Sequence, residues 1–126
     1  DSRIYHLKSN RLHQITKDHS LVQKLLDEGF ITHKQAASHP QKNVIMKALG
    51  DNKIIEPDIS KILINETGLK RFFICSDGVS NLVSNSELEE LLSINDLEVI
   101  KTKLIKIVKL RGAVDDYSFI IIDVIK

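Results

Sequence analysis

Three features of the sequence predict an α+β fold. A pair of β-forming stretches opens the chain and closes on Ser9-Asn10. Stretches with apolar residues at helical spacing follow in groups rather than singly. Apolar runs rich in β-formers recur at 71–75 and 117–125. The order is therefore strands, helices, strands, helices, strand. That segregation differs from the strict β–α–β alternation of a parallel sheet.

Each element has a local reason. Ile4-Tyr5-His6-Leu7 and Leu12-His13-Gln14-Ile15-Thr16 flank the Ser9-Asn10 turn and read as a β-hairpin. Asp18-His19-Ser20 offers a helix cap, Leu21, Val22, Leu25 and Leu26 follow at helical spacing, and Gly29 ends the run. Thr32 with Gln35 is a capping-box pattern for a short helix that ends before His39-Pro40. Val44 to Leu49 is compatible with strand or helix, and Gly50-Asp51-Asn52 reads as a turn. Ile59 to Ile64 alternates and reads as a strand, after which Gly68 turns the chain into Arg71-Phe72-Phe73-Ile74-Cys75. That continuous apolar run predicts a buried strand, ending at Ser76-Asp77-Gly78. Ser86 with Glu89 suggests a capping box before Leu88, Leu91 and Leu92. Asp96 can cap the last helix, whose face is Leu97, Ile100, Leu104, Ile107 and Val108, and Gly112 ends it. Tyr117 to Ile125 is the final strand.

Composition narrows the function. The 126 residues carry 18 Lys+Arg against 17 Asp+Glu, so no electrostatic case exists for nucleic acid or a membrane surface as the main partner. At 42% apolar, one domain with a real core is expected. The lone Cys75 excludes an internal disulfide and a Cys-based zinc site, and fits a reducing, cytoplasmic setting. No apolar run approaches the roughly 18–20 residues of a membrane span. No stretch has a signal-peptide pattern. The chain starts at Asp1 inside strand-like sequence, so further sequence is expected upstream.

Few residues suggest chemistry. Asp77 follows an apolar strand and precedes Gly78, a glycine that lets the backbone turn tightly, so the position is open to a metal ligand or to an ordinary turn cap. Asp115-Asp116 precedes the last strand. Adjacent carboxylates repel, and a cation would relieve them, as would simple solvation. Asp1 flanks a strand as well. The five histidines show no metal-ligand spacing, and Cys75 reads as a buried small hydrophobe. Lys101, Lys103, Lys106, Lys109 and Arg111 form either a basic docking face or the solvated side of an amphipathic helix. Asn65-Glu66-Thr67 matches a glycosylation sequon by chance.

Taken in order, several segments resemble one family. Asp1-Ser2-Arg3 before Ile4-Tyr5 resembles the end of a Gly-Asp-Ser-Arg motif. Leu12 to Ser20 resembles a Leu-Thr-x-Asp-His-Ser segment. His39-Pro40, Asn43-Val44-Ile45 and Ala48-Leu49-Gly50 resemble His-Pro…Asn-x-Ile…Ala-Leu-Gly. Cys75-Ser76-Asp77-Gly78 resembles the Ser-Asp-Gly motif, and Asp115-Asp116-Tyr117-Ser118 the Asp-Asn-x-Thr motif. The set is similar to the type 2C, metal-dependent Ser/Thr protein phosphatases, above all their bacterial members.

The resemblance implies two antiparallel sheets packed together with helices outside, an α-β-β-α sandwich of which residues 1–126 form the C-terminal part. It implies two Mn²⁺ or Mg²⁺ ions, with a weaker third, and hydrolysis of phosphoserine or phosphothreonine by a metal-activated water. Asp77 and Asp115 match the core metal ligands, and Asp1 matches an aspartate of the third-metal site. The segment from about His19 to His39 matches the flap beside the active site, a substrate-contact element. Phosphorylated proteins, in opposition to a Ser/Thr kinase, are the implied partners. Two positions depart from the pattern: Asp116 replaces the family's amide, and Asn81 stands where another aspartate is common. The family's N-terminal glutamate, Asp-Gly-x-Gly-Gly segment, phosphate-binding arginine and proposed general-acid histidine have no counterpart here. Arg3 belongs to a different motif. The isolated chain is therefore expected to be inactive, and to self-associate or be marginally stable through an uncovered sheet face. The competing reading is a non-catalytic, phosphatase-like binding or regulatory module.

Overall fold

The structure, a computed structural model, describes residues 1–50, 56–62, 70–113 and 115–125. In chain order the elements are β1 (Arg3–Lys8), β2 (Arg11–Gln14), α1 (Leu21–Asp27), α2 (His33–Ala37), β3 (Lys70–Cys75), α3 (Asp77–Ser80), α4 (Asn85–Leu92), α5 (Leu97–Leu110) and β4 (Phe119–Val124). They divide into two compact units. Lys17–Ile59 with Asp1 forms one, and Ser2–Thr16 with Ser60–Lys126 the other.

The larger unit is built on one antiparallel sheet in the order β2-β1-β3-β4. The hairpin between β1 and β2 follows from its turn residues. Ser9 and Asn10 both have positive φ, 50° and 59°, which a two-residue turn between twisted strands requires. The register then puts Tyr5 opposite Phe73, and Phe73 opposite Ile121. Tyr5 and Phe119 both lie against Phe73, with ring centroids 6.2 and 6.0 Å away. On this face Tyr5, Phe73 and Cys75 join Val79, Val83, Leu88, Leu91, Leu92, Ile100, Leu104 and Val108 in one core. Ile100, Leu104 and Val108 form the buried stripe of α5, with Ile107 packed beside it, while Leu97, expected on the same face, is exposed at the start of the helix.

β3 is not buried on both faces as its apolar run predicted. Its residues alternate, with Arg71, Phe73 and Cys75 buried and Phe72 and Ile74 half-buried. The opposite face carries His6 stacked on Phe72, with centroids 4.7 Å apart, and Ile120 and Ile122 at 57% and 41% exposure. A strand reads as continuously apolar when both its faces are made to be covered.

Arg71, the first residue of that run, is a buried cation at 2% exposure. Its Nε and Nη2 donate to the two carboxylate oxygens of Asp123 on β4, both at 2.7 Å. Nη1 donates to the carbonyls of Leu92, at 2.7 Å, and Ile94, and Nη2 to that of Asn95. One side chain thus satisfies the open carbonyls at the end of α4 and ties them to the sheet.

The capping box of α4 is Ser84 with Glu87, not Ser86 with Glu89. The helix starts two residues earlier than the pattern suggested. Glu89 instead accepts from the amide of Leu12 at 2.8 Å and so anchors the exposed edge of β2. Asp96 caps α5 as expected, accepting from the amides of Glu98 and Val99. The last strand spans Phe119–Val124 and leaves Tyr117, Ser118 and Ile125 outside it.

In the smaller unit, Ser20 caps α1 and the Thr32–Gln35 box caps α2, both as expected. Gly29 follows α1 at φ 76°, the left-handed conformation that ends a helix cheaply at glycine. Val44 to Leu49 becomes neither helix nor strand. A single bridge joins Ser20 to Ile45, through Leu21 N–H to the Val44 carbonyl and Met46 N–H to the His19 carbonyl. The expected strand at Ile59–Ile64 does not form over residues 59–62; its remainder, Gly68, Asn65-Glu66-Thr67 and Asp51-Asn52 lie outside the described residues.

Candidate metal centre

The motif carboxylates sit where strands end. β3 finishes at Cys75, Ser76 follows in extended backbone, and Asp77 is the first residue of the short helix α3. The backbone leaving Asp115 leads into β4, whose first residue, Phe119, pairs with Cys75. Antiparallel pairing therefore brings the segments carrying Asp77 and Asp115 to one end of the sheet.

Two devices lock those segments together. Ser76 N–H donates to the Ser118 carbonyl at 3.0 Å, and Ser118 N–H donates to Ser76 Oγ at 3.0 Å. Gly78 is the second device. A Cβ on it would stand 2.4 Å from the Asp116 carbonyl oxygen and 3.1 Å from Tyr117 Cβ. Gly78 does not take a positive φ. Glycine is needed here for close approach, and not, as the sequence suggested, for a tight turn.

Asp77 is half-buried, and Asp115 and Asp116 are exposed. Asp115 Oδ1 accepts from the amide of Asp116 at 2.8 Å, which stiffens the segment locally. Asp1 is exposed and belongs to the smaller unit. Asn81 is the exposed C-cap of α3, and its amide N–H donates to the Asp77 carbonyl at 2.8 Å. Among the described residues, no group of three or more His, Cys, Asp or Glu side chains is placed to hold a metal ion. The donor set is nevertheless of the right kind. Small hard cations such as Mg²⁺ take one or two carboxylates, several waters and substrate phosphate oxygens, in place of a closed protein cage. Asp77 and Asp115 fit that chemistry as part of a site.

The other candidates resolve into structure. Cys75 is buried, as expected. Arg111 bonds Glu87 and the Leu82 carbonyl, which ties the end of α5 to the start of α4. Its guanidinium, with the Ser84 backbone and hydroxyl, holds the Glu87 carboxyl down at about 2. Lys101 pairs with Glu98, while Lys103, Lys106 and Lys109 are exposed on α5. His19 Nε2 lies 2.7 Å from Asp58 Oδ2, a hydrogen bond that lowers the Asp58 pKa. The Ser76–Ser118 lock was missed from sequence. Its signal, a serine in each motif, was visible only as motif letters.

No family model matches the sequence. Curated proteins do. The chain is 38% identical over 125 residues to the Ser/Thr protein phosphatase PstP of Mycobacterium tuberculosis, covering 99% of this chain and 24% of PstP. It is 39% identical over 93 residues to the protein phosphatase PhpP of Streptococcus pneumoniae, covering 74% of this chain and 37% of PhpP. The chain thus spans well under half the length of these relatives. Among solved structures, it superposes on M. tuberculosis PstP with a TM-score of 0.87 at 36% identity, covering all of this chain and 52% of that one. The PstP catalytic domain in complex with two manganese ions matches with a TM-score of 0.83 at 35% identity, covering 100% and 51%.

Proposed function

Since the chain belongs to the type 2C, metal-dependent Ser/Thr protein phosphatase family, we propose that it is the C-terminal half of a phosphatase domain that hydrolyses phosphoserine and phosphothreonine in proteins. The observation that carries this reading is the lock between Ser76-Asp77-Gly78 and Asp115–Ser118, which brings together the segments of two motif carboxylates.

Asp77 and Asp115 would hold Mn²⁺ or Mg²⁺, with Asp1 contributing to a weaker third site. When bound, such cations lend acidity to an attacking water and neutralise charge on the phosphoryl group. This chain's part is positional. Asp77 and Asp115 present negative oxygens from stiffened backbone. Asp116 adds a further negative charge beside them, and Gly78 keeps α3 against the Asp116 carbonyl. The flap, about residues 19–39, would contact substrate. The half-exposed sheet face with Phe72, Ile74, Ile120 and Ile122 would pack against the sheet of the N-terminal half. Phosphoproteins made by a Ser/Thr kinase would be the substrates, in the cytoplasm, where Cys75 stays reduced. Among the described residues, no helix is long and apolar enough to cross a membrane.

A second reading, a non-catalytic regulatory module, is favoured by Asp116 and Asn81. One assay separates the two: Mn²⁺-dependent hydrolysis of a phosphothreonine peptide, by this chain and by a protein with the N-terminal half restored, each beside Asp77→Ala. The phosphatase reading expects activity only in the restored protein, dependent on Mn²⁺ and abolished by Asp77→Ala. A folded, restored protein without Mn²⁺-dependent activity would favour the module.

A further inference from the structure

We propose that Ser76 is a positioning residue, whose hydroxyl fixes the spacing of the Asp77 and Asp115 segments for a shared divalent cation. The inference rests on the metal-dependent reading above and adds a residue to it.

The hydroxyl is diverted from its ordinary task. Ser, Thr and Asp at an N-cap normally accept a hydrogen bond from an amide two or three residues on. Ser20, Thr32, Ser84 and Asp96 all do this, at α1, α2, α4 and α5. Ser76 has the extended backbone of an N-cap, φ −75° and ψ 168°, but makes no side-chain bond to its own helix. Its Oγ accepts instead from Ser118 N–H, 42 residues away. The local stability of α3 is forgone for a long-range tie.

The tie falls beside the carboxylates. Ser76 precedes Asp77 directly, and Ser118 closes the Asp115–Ser118 segment. That segment lies outside β4, with Asp115, Asp116 and Ser118 exposed. An exposed segment carrying two adjacent carboxylates would otherwise be spread apart by its own charge. Ordering it at the moment of cation binding would weaken the binding. With Ser76 Oγ, Ser76 N–H and the Gly78 contact in place, much of that ordering precedes the cation.

The test is a Mn²⁺ titration of the 126-residue chain, followed by paramagnetic broadening of its backbone amide signals. In the unaltered chain, the Gly78 and Asp116 amides should broaden together at one Mn²⁺ concentration. Ser76→Ala should raise that concentration about fivefold, the ordinary worth of one hydrogen bond, and speed hydrogen exchange at Ser118. Ser76→Thr, which keeps the hydroxyl, should restore both. If alanine disturbs folding, the near-isosteric pair Ser76→Thr and Ser76→Val repeats the comparison with only the hydroxyl differing. Unchanged Mn²⁺ broadening in Ser76→Ala, with Asp77→Asn abolishing it, would overturn the positioning role and leave the metal centre standing. Broadening untouched by Asp77→Asn would overturn both.

Discussion

Arg71 is the residue whose loss should cost the larger unit most. It is 2% exposed, and the carboxylate it holds on Asp123 is itself mostly buried, with 16% side-chain exposure. Arg71→Met keeps an unbranched stem but removes every donor. Asp123 is then left as an uncompensated charge, and the Leu92 and Ile94 carbonyls lose their partner. Breaking one side of a buried ion pair costs about 3–5 kcal/mol. The carbonyls can recover some water because Ile94 is half-buried and Asn95 exposed, so about 4 kcal/mol is expected. Against a total stability of about 5–15 kcal/mol, that is a large share. Asp123→Asn should cost less, about 2 kcal/mol, because Arg71 keeps its carbonyl partners. Arg71→Met with Asp123→Leu removes both charges and should lie nearer the unaltered chain than Arg71→Met alone. Urea unfolding followed by far-UV circular dichroism gives all four free energies, provided the denaturant slope is constant. A cost under about 1 kcal/mol for Arg71→Met, or a double variant no more stable than Arg71→Met alone, would refute the idea that one paired cation clamps α4 to the sheet.

Three further outcomes are expected. Gly78→Ala should destabilise by about 1–3 kcal/mol, the usual cost of forcing atoms into filled space, and should separate α3 from the Asp116 carbonyl; a loss below the noise of urea unfolding would show that the contact relaxes freely. Glu87 titrates at about 2 in the folded chain against an ordinary value of 4.5, so its contribution is full above 4.5 and fades as pH falls toward 2. Glu87→Gln should flatten that acid limb in a pH series of unfolding midpoints, with the difference shrinking in high salt because the pair is exposed. Finally, sedimentation velocity should show this chain self-associating, and Ile120→Lys should weaken the association by about tenfold or more, since burying one isoleucine is worth about 1.5–3 kcal/mol. A monomer at all concentrations would count against that.

Local chemistry was legible where it acted alone. The Ser9-Asn10 turn, the caps at Ser20, Thr32 and Asp96, and the buried stripe of α5 each depend on residues within a few positions of one another. A hydrogen-bonding side chain at the right offset, or an apolar period of 3.6, specifies them without help from the rest of the chain. Where two local patterns competed, the distant partner chose. Ser86 with Glu89 is as good a capping box on paper as Ser84 with Glu87. Glu89 was taken by the Leu12 amide on β2, and Glu87 by Arg111.

The sequence by itself also determined the order of the motifs, hence the expectation of a metal-dependent phosphatase and the choice of Asp77, Asp115 and Asp1. Tertiary structure alone decided what holds the Asp77 and Asp115 segments together. Arg71 read as the start of an apolar strand, and became a buried clamp because Asp123 faces it across the β3–β4 register. Gly78 read as a turn, and proved to be a contact surface for the Asp116 carbonyl. Ser76 read as the end of a strand, and gave its hydroxyl to Ser118. Each of these depends on groups brought together by strand pairing. A one-dimensional pattern carries the residue types needed for such contacts, but the pairing register decides which of them meet.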